Sequence, residues 1–160
     1  MSEFESQFDP SRFLDATITE PNATSRLNCP PGVWPATIDG TPELNGGISQ
    51  KEGPNEGMPW LRLDLKWRIE HPDVVAATGM PYVTVRQGIM LELTEGGAVD
   101  TRKGHNAQLG RLREALDLNQ KGQPFSFRML EGRSALISVA HRTYEGQIYD
   151  DVKKVARLAH

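Results

Sequence analysis

At 160 residues the chain is long enough to build one hydrophobic core, burying about two-thirds of its unfolded surface without staples. A single cysteine, Cys29, excludes an internal disulfide, and the four histidines are scattered without metal-ligand spacing. No run approaches the ~20 apolar residues of a membrane-crossing helix. The net charge of −3 runs against the basic excess common in nucleic-acid modules.

The distribution of charge matters more than its sum. Acids crowd the first twenty residues (Glu3, Glu5, Asp9, Asp15, Glu20) and the stretch before Trp60 (Glu43, Glu52, Glu56), while cations gather from Arg62 to Arg113. Screening confines each charge to about 8–10 Å, so a local basic face survives an acidic total. The start, Met1-Ser2-Glu3-Phe4-Glu5, lacks the basic and apolar segments of a signal peptide, which gives the expectation of a reducing, cytoplasmic setting with no membrane contact. In that setting the Asn22-Ala23-Thr24 sequon is accidental.

Residues 1–31 read as an N-terminal arm and 32–160 as the domain. Asp9-Pro10-Ser11 is a helix start, with a capping carboxylate and proline in the first turn. Phe4, Phe8, Phe13 and Leu14 are expected to dock this helix on the chain's own body, with a second subunit as the other recipient. Gly32-Val33-Trp34-Pro35-Ala36-Thr37-Ile38 follows as the first strand, with Trp34, Ala36 and Ile38 inward. Proline cannot donate to a ladder, so this strand is bulged or at an edge. Residues 39–59, rich in glycine and proline around Asn45-Gly46-Gly47, read as a mobile loop.

Two strands form the centre of the chain. In Trp60-Leu61-Arg62-Leu63-Asp64-Leu65-Lys66-Trp67-Arg68-Ile69 the alternation is strict, and side chains two apart share a face. Leu61, Leu63, Leu65, Trp67 and Ile69 therefore turn inward. Trp60, Arg62, Asp64, Lys66 and Arg68 turn out. Residues 82–93 repeat the plan: Val83, Val85, Ile89, Leu91 and Leu93 inward, and Tyr82, Thr84, Arg86, Met90 and Glu92 outward. Between the two, Asp73 and Gly79 bracket one or two helical turns.

After a loop carrying Arg102 and Lys103, Leu109, Leu112 and Leu116 define one apolar face of a helix, with Asn106 as its cap and Asn119 with Gly122 as its stop. Residues 134–144, with Ala135, Ile137 and Val139 on one side, and 148–155 complete the strands, joined at Glu145-Gly146-Gln147.

Strand, strand, strand, helix, strand, strand is the plan of a mainly β, five-stranded OB-like barrel with one helix between strands 3 and 4. Gly32-Val33-Trp34-Pro35-Ala36-Thr37-Ile38, Gly110-Arg111-Leu112-Arg113-Glu114-Ala115-Leu116, Leu130-Glu131-Gly132-Arg133 and Tyr149-Asp150-Asp151-Val152 resemble bacteriophage-encoded OB-fold proteins of the single-stranded DNA-binding type, over residues 32–158. The resemblance implies coating of single strands in phage replication or recombination, in the host cytoplasm. Bacterial proteins of this type end in a flexible acidic tail that recruits partners. This chain ends in Lys153-Lys154-Val155-Ala156-Arg157-Leu158-Ala159-His160, so recruitment by such a tail is not expected.

The candidate interface consists of Trp60, Arg62, Lys66, Arg68, Tyr82, Arg86, Arg102 and Lys103, with Lys121 extending the track. Cations release phosphate counterions and make affinity fall with salt. Trp60 and Tyr82 can each stack a base, worth about 1–3 kcal/mol with little sequence preference. The partner is single-stranded DNA, with RNA the other polymer such a surface takes. For each cation the plainer reading is a solvated strand face, with Arg68 paired to Glu70 or Glu92 and Asp64 neutralising its neighbours. No catalytic constellation and no cofactor motif is present: Cys29 has no nearby histidine, and Glu95-Gly96-Gly97 lacks the lysine and serine of a phosphate loop. The chain is therefore read as a non-enzyme. The alternatives are a virion structural or assembly protein that oligomerises through its phenylalanine-bearing arm, and an accessory factor binding another protein through the acidic 39–59 loop.

Overall fold

The computed structural model describes residues 8–50, 52–54 and 56–158. Six antiparallel strands form one sheet: β1 (Gly32–Ile38), β2 (Glu43–Ile48), β3 (Pro59–Ile69), β4 (Val83–Leu91), β5 (Ser134–Tyr144) and β6 (Gln147–Ala156). Helices α1 (Pro72–Thr78) and α2 (Ala107–Ala115) lie between β3 and β4 and between β4 and β5. Strand β3 is the hub. On one edge it pairs with all of β4, from Leu61 opposite Leu91 to Ile69 opposite Val83. On the other it pairs with β2 over its first half and with β1 at Thr37 and Ile38. Strand β1 continues to β5, and β5 to β6.

Two expectations change. The sheet has six strands rather than five, and it is open: β4 and β6 approach within 8 Å at Cα but share no ladder. The extra strand, β2, occupies the stretch expected to be a mobile loop. Its Gly46 and Gly47 punctuate no turn. A Cβ at Gly46 would sit 2.8 Å from the Trp60 carbonyl oxygen, and one at Gly47 would sit 3.2 Å from the Trp60 ring. Glycine here permits close approach of the β3 backbone at Gly46 and of the Trp60 indole at Gly47, its other use within a strand.

The inward faces follow the two-residue period. Leu63, Leu65, Trp67, Ile69, Val85, Ile89 and Leu91 are buried, against Ala36 and Ile38 of β1 and Ala135, Ile137 and Val139 of β5. Leu109, Leu112 and Leu116 bring α2 onto this core. A one-residue slip of β3 would expose four of these side chains at about 1.5–3 kcal/mol each, which fixes the register and with it the outward set. Trp34 is half-buried, its Nε1 donating to the Pro30 carbonyl at 2.9 Å. Pro35 is accommodated because β3 pairs with β1 only at Thr37 and Ile38, so the first half of β1 has one edge outside that ladder.

Helix ends depart in detail from their sequence signals. His71, not Asp73, caps α1: its Nδ1 accepts from the Asp73 amide at 3.1 Å, while Gly79 closes the helix in the left-handed region. Asn106 precedes α2, but its side chain bonds Glu92 and Asp100 rather than the helix, which ends at Ala115, before Asn119. In the arm, Asp9 caps a single 3₁₀ turn, Pro10–Phe13. Against the expected docking, this turn buries no side chain: Phe13 is 63% exposed and Leu14 86%, and Phe8, also exposed, lies against Phe13 at 5.7 Å between ring centroids. Phe4 lies outside the described residues. The last residues before β1 do belong to the body. Cys29 is buried in the core, its amide donates to Asp150 Oδ2 at 2.9 Å, and His141 Nε2 donates to its carbonyl at 2.7 Å.

Candidate nucleic-acid interface

The register of β3 and β4 decides which outward side chains meet. Arg62 lies opposite Met90, Asp64 opposite Gly88, Lys66 opposite Arg86 and Arg68 opposite Thr84. Tyr82, just before β4, comes back over the same face, where the Arg68 guanidinium sits 3.8 Å from its ring centroid. At the other end the Arg62 guanidinium lies 5.9 Å from the Trp60 ring. The two predicted outer faces are thus one surface, with a ring–cation pair at each end.

The centre of this surface is the floor of a cleft of about 750 Å³. Arg62, Lys66 and Arg86 line the floor, residues 39–43 and Asn45 form one wall, and Arg142, Tyr149, Asp150 and Asp151 of the β5–β6 hairpin form the other. Arg26 closes the wall from the arm: its guanidinium lies 4.6 Å from the Tyr149 ring, with Arg142 also packed on that ring at 5.0 Å. Five cations (Arg26, Arg62, Lys66, Arg86, Arg142) face five carboxylates (Asp39, Glu43, Asp64, Asp150, Asp151) around it.

Contacts sort these charges. Arg62 Nε donates to Asp64 Oδ1 at 2.8 Å, and the Asn45 amide also bonds Asp64. Arg68 Nε donates to Glu70 Oε1 at 2.7 Å, and Asp151 is shared by Arg142 and Lys153. Lys66 and Arg86 have no ion pair among the described residues, although both are exposed and directly opposed. Like charges facing one another across a ladder are unfavourable, and neither cation makes an ion pair among the described residues, although five carboxylates line the same cleft.

Arg102 and Lys103 do not line the cleft. Arg102 donates from Nε and Nη2 to both carboxylate oxygens of buried Asp100, at 2.6 to 3.2 Å. These hydrogen bonds hold the Asp100 carboxyl well below the usual carboxylate range. Glu92 is held low as well, first by the Asn106 amide and then by His105 Nδ1 at 3.2 Å. The network closes the loop between β4 and α2. Lys121 is exposed and does not line the cleft.

Sequence reasoning missed Arg26, Arg142 and Tyr149. For Arg142 and Tyr149 the only signal was position, at the hairpin between the last two strands, and Arg26, in the arm, carried none. Burial and then Asp150 push the Cys29 thiol up to about 11, and a histidine does lie beside this cysteine, His141, which bonds its carbonyl rather than its sulfur. Comparison with known proteins adds no relative: no protein-family model matches the chain, and no curated protein matches it.

Proposed function

We propose that this cleft binds single-stranded DNA with little sequence preference, in the phage replication or recombination setting that the resemblance implies. One observation carries the reading: Lys66 and Arg86 stand side by side, exposed and without an ion pair among the described residues, between two aromatic ends of the same strand face. A phosphate backbone supplies the anion these cations lack, and Trp60 and Tyr82 supply stacking area for unpaired bases. The fold supports this. Leaving out β2, the neighbours run β4-β3-β1-β5-β6, with β4 beside β6. That order supports reading the sheet as an OB-like barrel with one seam unlaced, and in such barrels the ligand lies over the middle strands and flanking loops, where this cleft is. The five carboxylates around the cleft limit affinity and make low salt the condition in which binding is seen.

Titration with oligo-dT, followed by tryptophan emission, tests the proposal. Binding at low salt should weaken as salt rises, with a slope of about −0.7 per phosphate contact, and Lys66→Glu with Arg86→Glu should abolish it. No binding at low salt refutes the reading, and competition with oligo-rU separates DNA from RNA preference. A second reading, assembly through the arm, rests on the exposure of Phe13, Leu14 and Ile18, the last 78% exposed. A monomer in light scattering at high concentration overturns that one.

A further inference from the structure

A second groove, of about 340 Å³, lies between α2 and β6. It differs from the cleft in charge: Arg111, Lys153, Lys154 and Arg157 line it, with Glu114 as the lone carboxylate among its lining residues. Arg157 is tied to Asp117 at 2.6 Å and Lys153 to Asp151 at 3.3 Å. Arg111 and Lys154 are exposed, with no ion pair among the described residues. The more electropositive depression is therefore this groove rather than the cleft.

Its lysines are aimed by a backbone irregularity. In a regular strand Lys153 and Lys154 would point to opposite faces, one of them into the core. The ladder between β5 and β6 shifts at Ser138 and Val139: Val139 faces Val152, whereas Ser138 faces Lys154, leaving Lys153 as the extra residue. The bulge lets Val152 and Val155 both turn toward the core while the two lysines between them are both exposed. Bulges recur where a side chain must be re-aimed for function.

The groove and the cleft meet at the open seam, where Gln87 of β4 borders both. Gln87 is only 6% exposed. Its Oε1 accepts from Trp67 Nε1 at 2.8 Å, and since the indole can only donate, the carboxamide is fixed with Nε2 turned away from Trp67. No protein acceptor for that Nε2 is found among the described residues, and the amide keeps contact with solvent at the junction of the two depressions, where it is free to donate to a ligand.

We infer that a bound single strand does not end in the cleft but crosses the seam between β4 and β6, and that Arg111 and Lys154 hold its backbone phosphates in the α2–β6 groove. This rests on the reading of the cleft given above. It makes the site longer than the β3–β4 face and gives the bulge and the unlaced seam a purpose.

The test compares a short oligo-dT of about 5 nucleotides with one of about 15, both within the range of site sizes for such barrels. The full chain and an Arg111→Gln, Lys154→Gln variant are titrated with each across a salt series, after circular dichroism shows equal folding. For the long strand the variant should bind about tenfold or more weakly. Its salt slope should be smaller by about 1.4, because two phosphates that each contribute about 0.7 keep their counterions. The short strand should bind both proteins alike. Equal affinity of both proteins for the long strand overturns the path while leaving the cleft intact. An equal drop at both lengths also overturns it, since a general field rather than a continued track would then be at work. If the unaltered chain binds neither strand while folded, the cleft reading itself has failed.

Discussion

Two clusters of cations on this molecule look alike in sequence and differ in what surrounds them. On the strand face, Lys66 and Arg86 oppose each other with no ion pair among the described residues. In the loop after β4, Arg102 is committed to Asp100 through a bidentate contact, backed by Glu92, His105 and Asn106. In the first, cross-strand repulsion is unfavourable, and on the proposed reading an anion would relieve it. The other is already paired and has nothing to gain from one. Whether a cation is available to a ligand is thus settled by its neighbours in space.

The largest expected effect falls on the strand face, where function and stability should move in opposite directions. Lys66→Glu puts a carboxylate opposite Arg86, replacing a repulsive cross-strand pair by an attractive one, so the folded state should gain about 0.2–1 kcal/mol in urea unfolding. On the proposed reading the same change removes a phosphate contact, and it should weaken oligo-dT binding by about tenfold, the equivalent of about 1.4 kcal/mol. A variant that loses both affinity and stability would show that Lys66 is a structural residue and would erase the contrast between the clusters.

A smaller effect is expected at the wall of the cleft. Gly46→Val places a side chain where its first carbon is 2.8 Å from the Trp60 carbonyl oxygen, so β2 must move off β3. Overpacking of this kind costs about 1–3 kcal/mol in a rigid core, and less at a sheet edge that can peel away. Hydrogen exchange at 43–48 should speed up and Trp60 should become more solvated, with the core around Trp67 unchanged. Unchanged protection of those amides would mean the glycine is incidental, and that β2 owes its position to other contacts.

Much of this architecture is legible because burial enforces a period. Leu63, Leu65, Trp67 and Ile69 fix one face of β3, and the outward face follows without further information. The ends of β5 and the turn at 145–146 are equally readable, since Gly146 adopts a positive φ of 78° that its neighbours mark as a hairpin. Strand β2 is hidden because Asn45-Gly46-Gly47 has the composition of a turn, while its role depends on the Trp60 backbone of another strand. The same limit applies to Arg26, which reaches the cleft only because Asn28 and Cys29 pin its segment along the β5–β6 hairpin, more than a hundred residues later. The open seam has no local signal, and neither does the bulge at Lys153, whose alternation reads as a slightly imperfect strand. Arg102 enters the candidate set through its charge and its glycine-flanked loop alone. Asp100, two residues away, is in sequence one acid among several, although a carboxylate at that spacing can turn back on the guanidinium.

The smallest effect on binding is expected from the Asp100–Arg102 loop, where pH supplies the discriminating measurement. Arg102 holds the folded-state pKa of Asp100 below its unfolded value of about 3.9, so the folded chain resists protonation that the unfolded chain accepts. The resulting stabilisation is fully present at neutral pH, begins to fade as pH falls through about 4, and is lost only when the folded carboxyl is itself protonated. Asp100→Asn removes it, so the stability gap between the unaltered chain and the variant should be widest near pH 7 and should narrow on titration toward about pH 2.5. Arg102→Ala should lower neutral-pH stability in the same sense, yet leave oligo-dT affinity within about twofold, because its guanidinium has no phosphate to lose. If Arg102→Ala instead weakens binding as strongly as Lys66→Glu, the bidentate contact must open when the ligand arrives. The loop would then join the strand face as part of the interface, and the distinction between committed and available cations would fail for this protein.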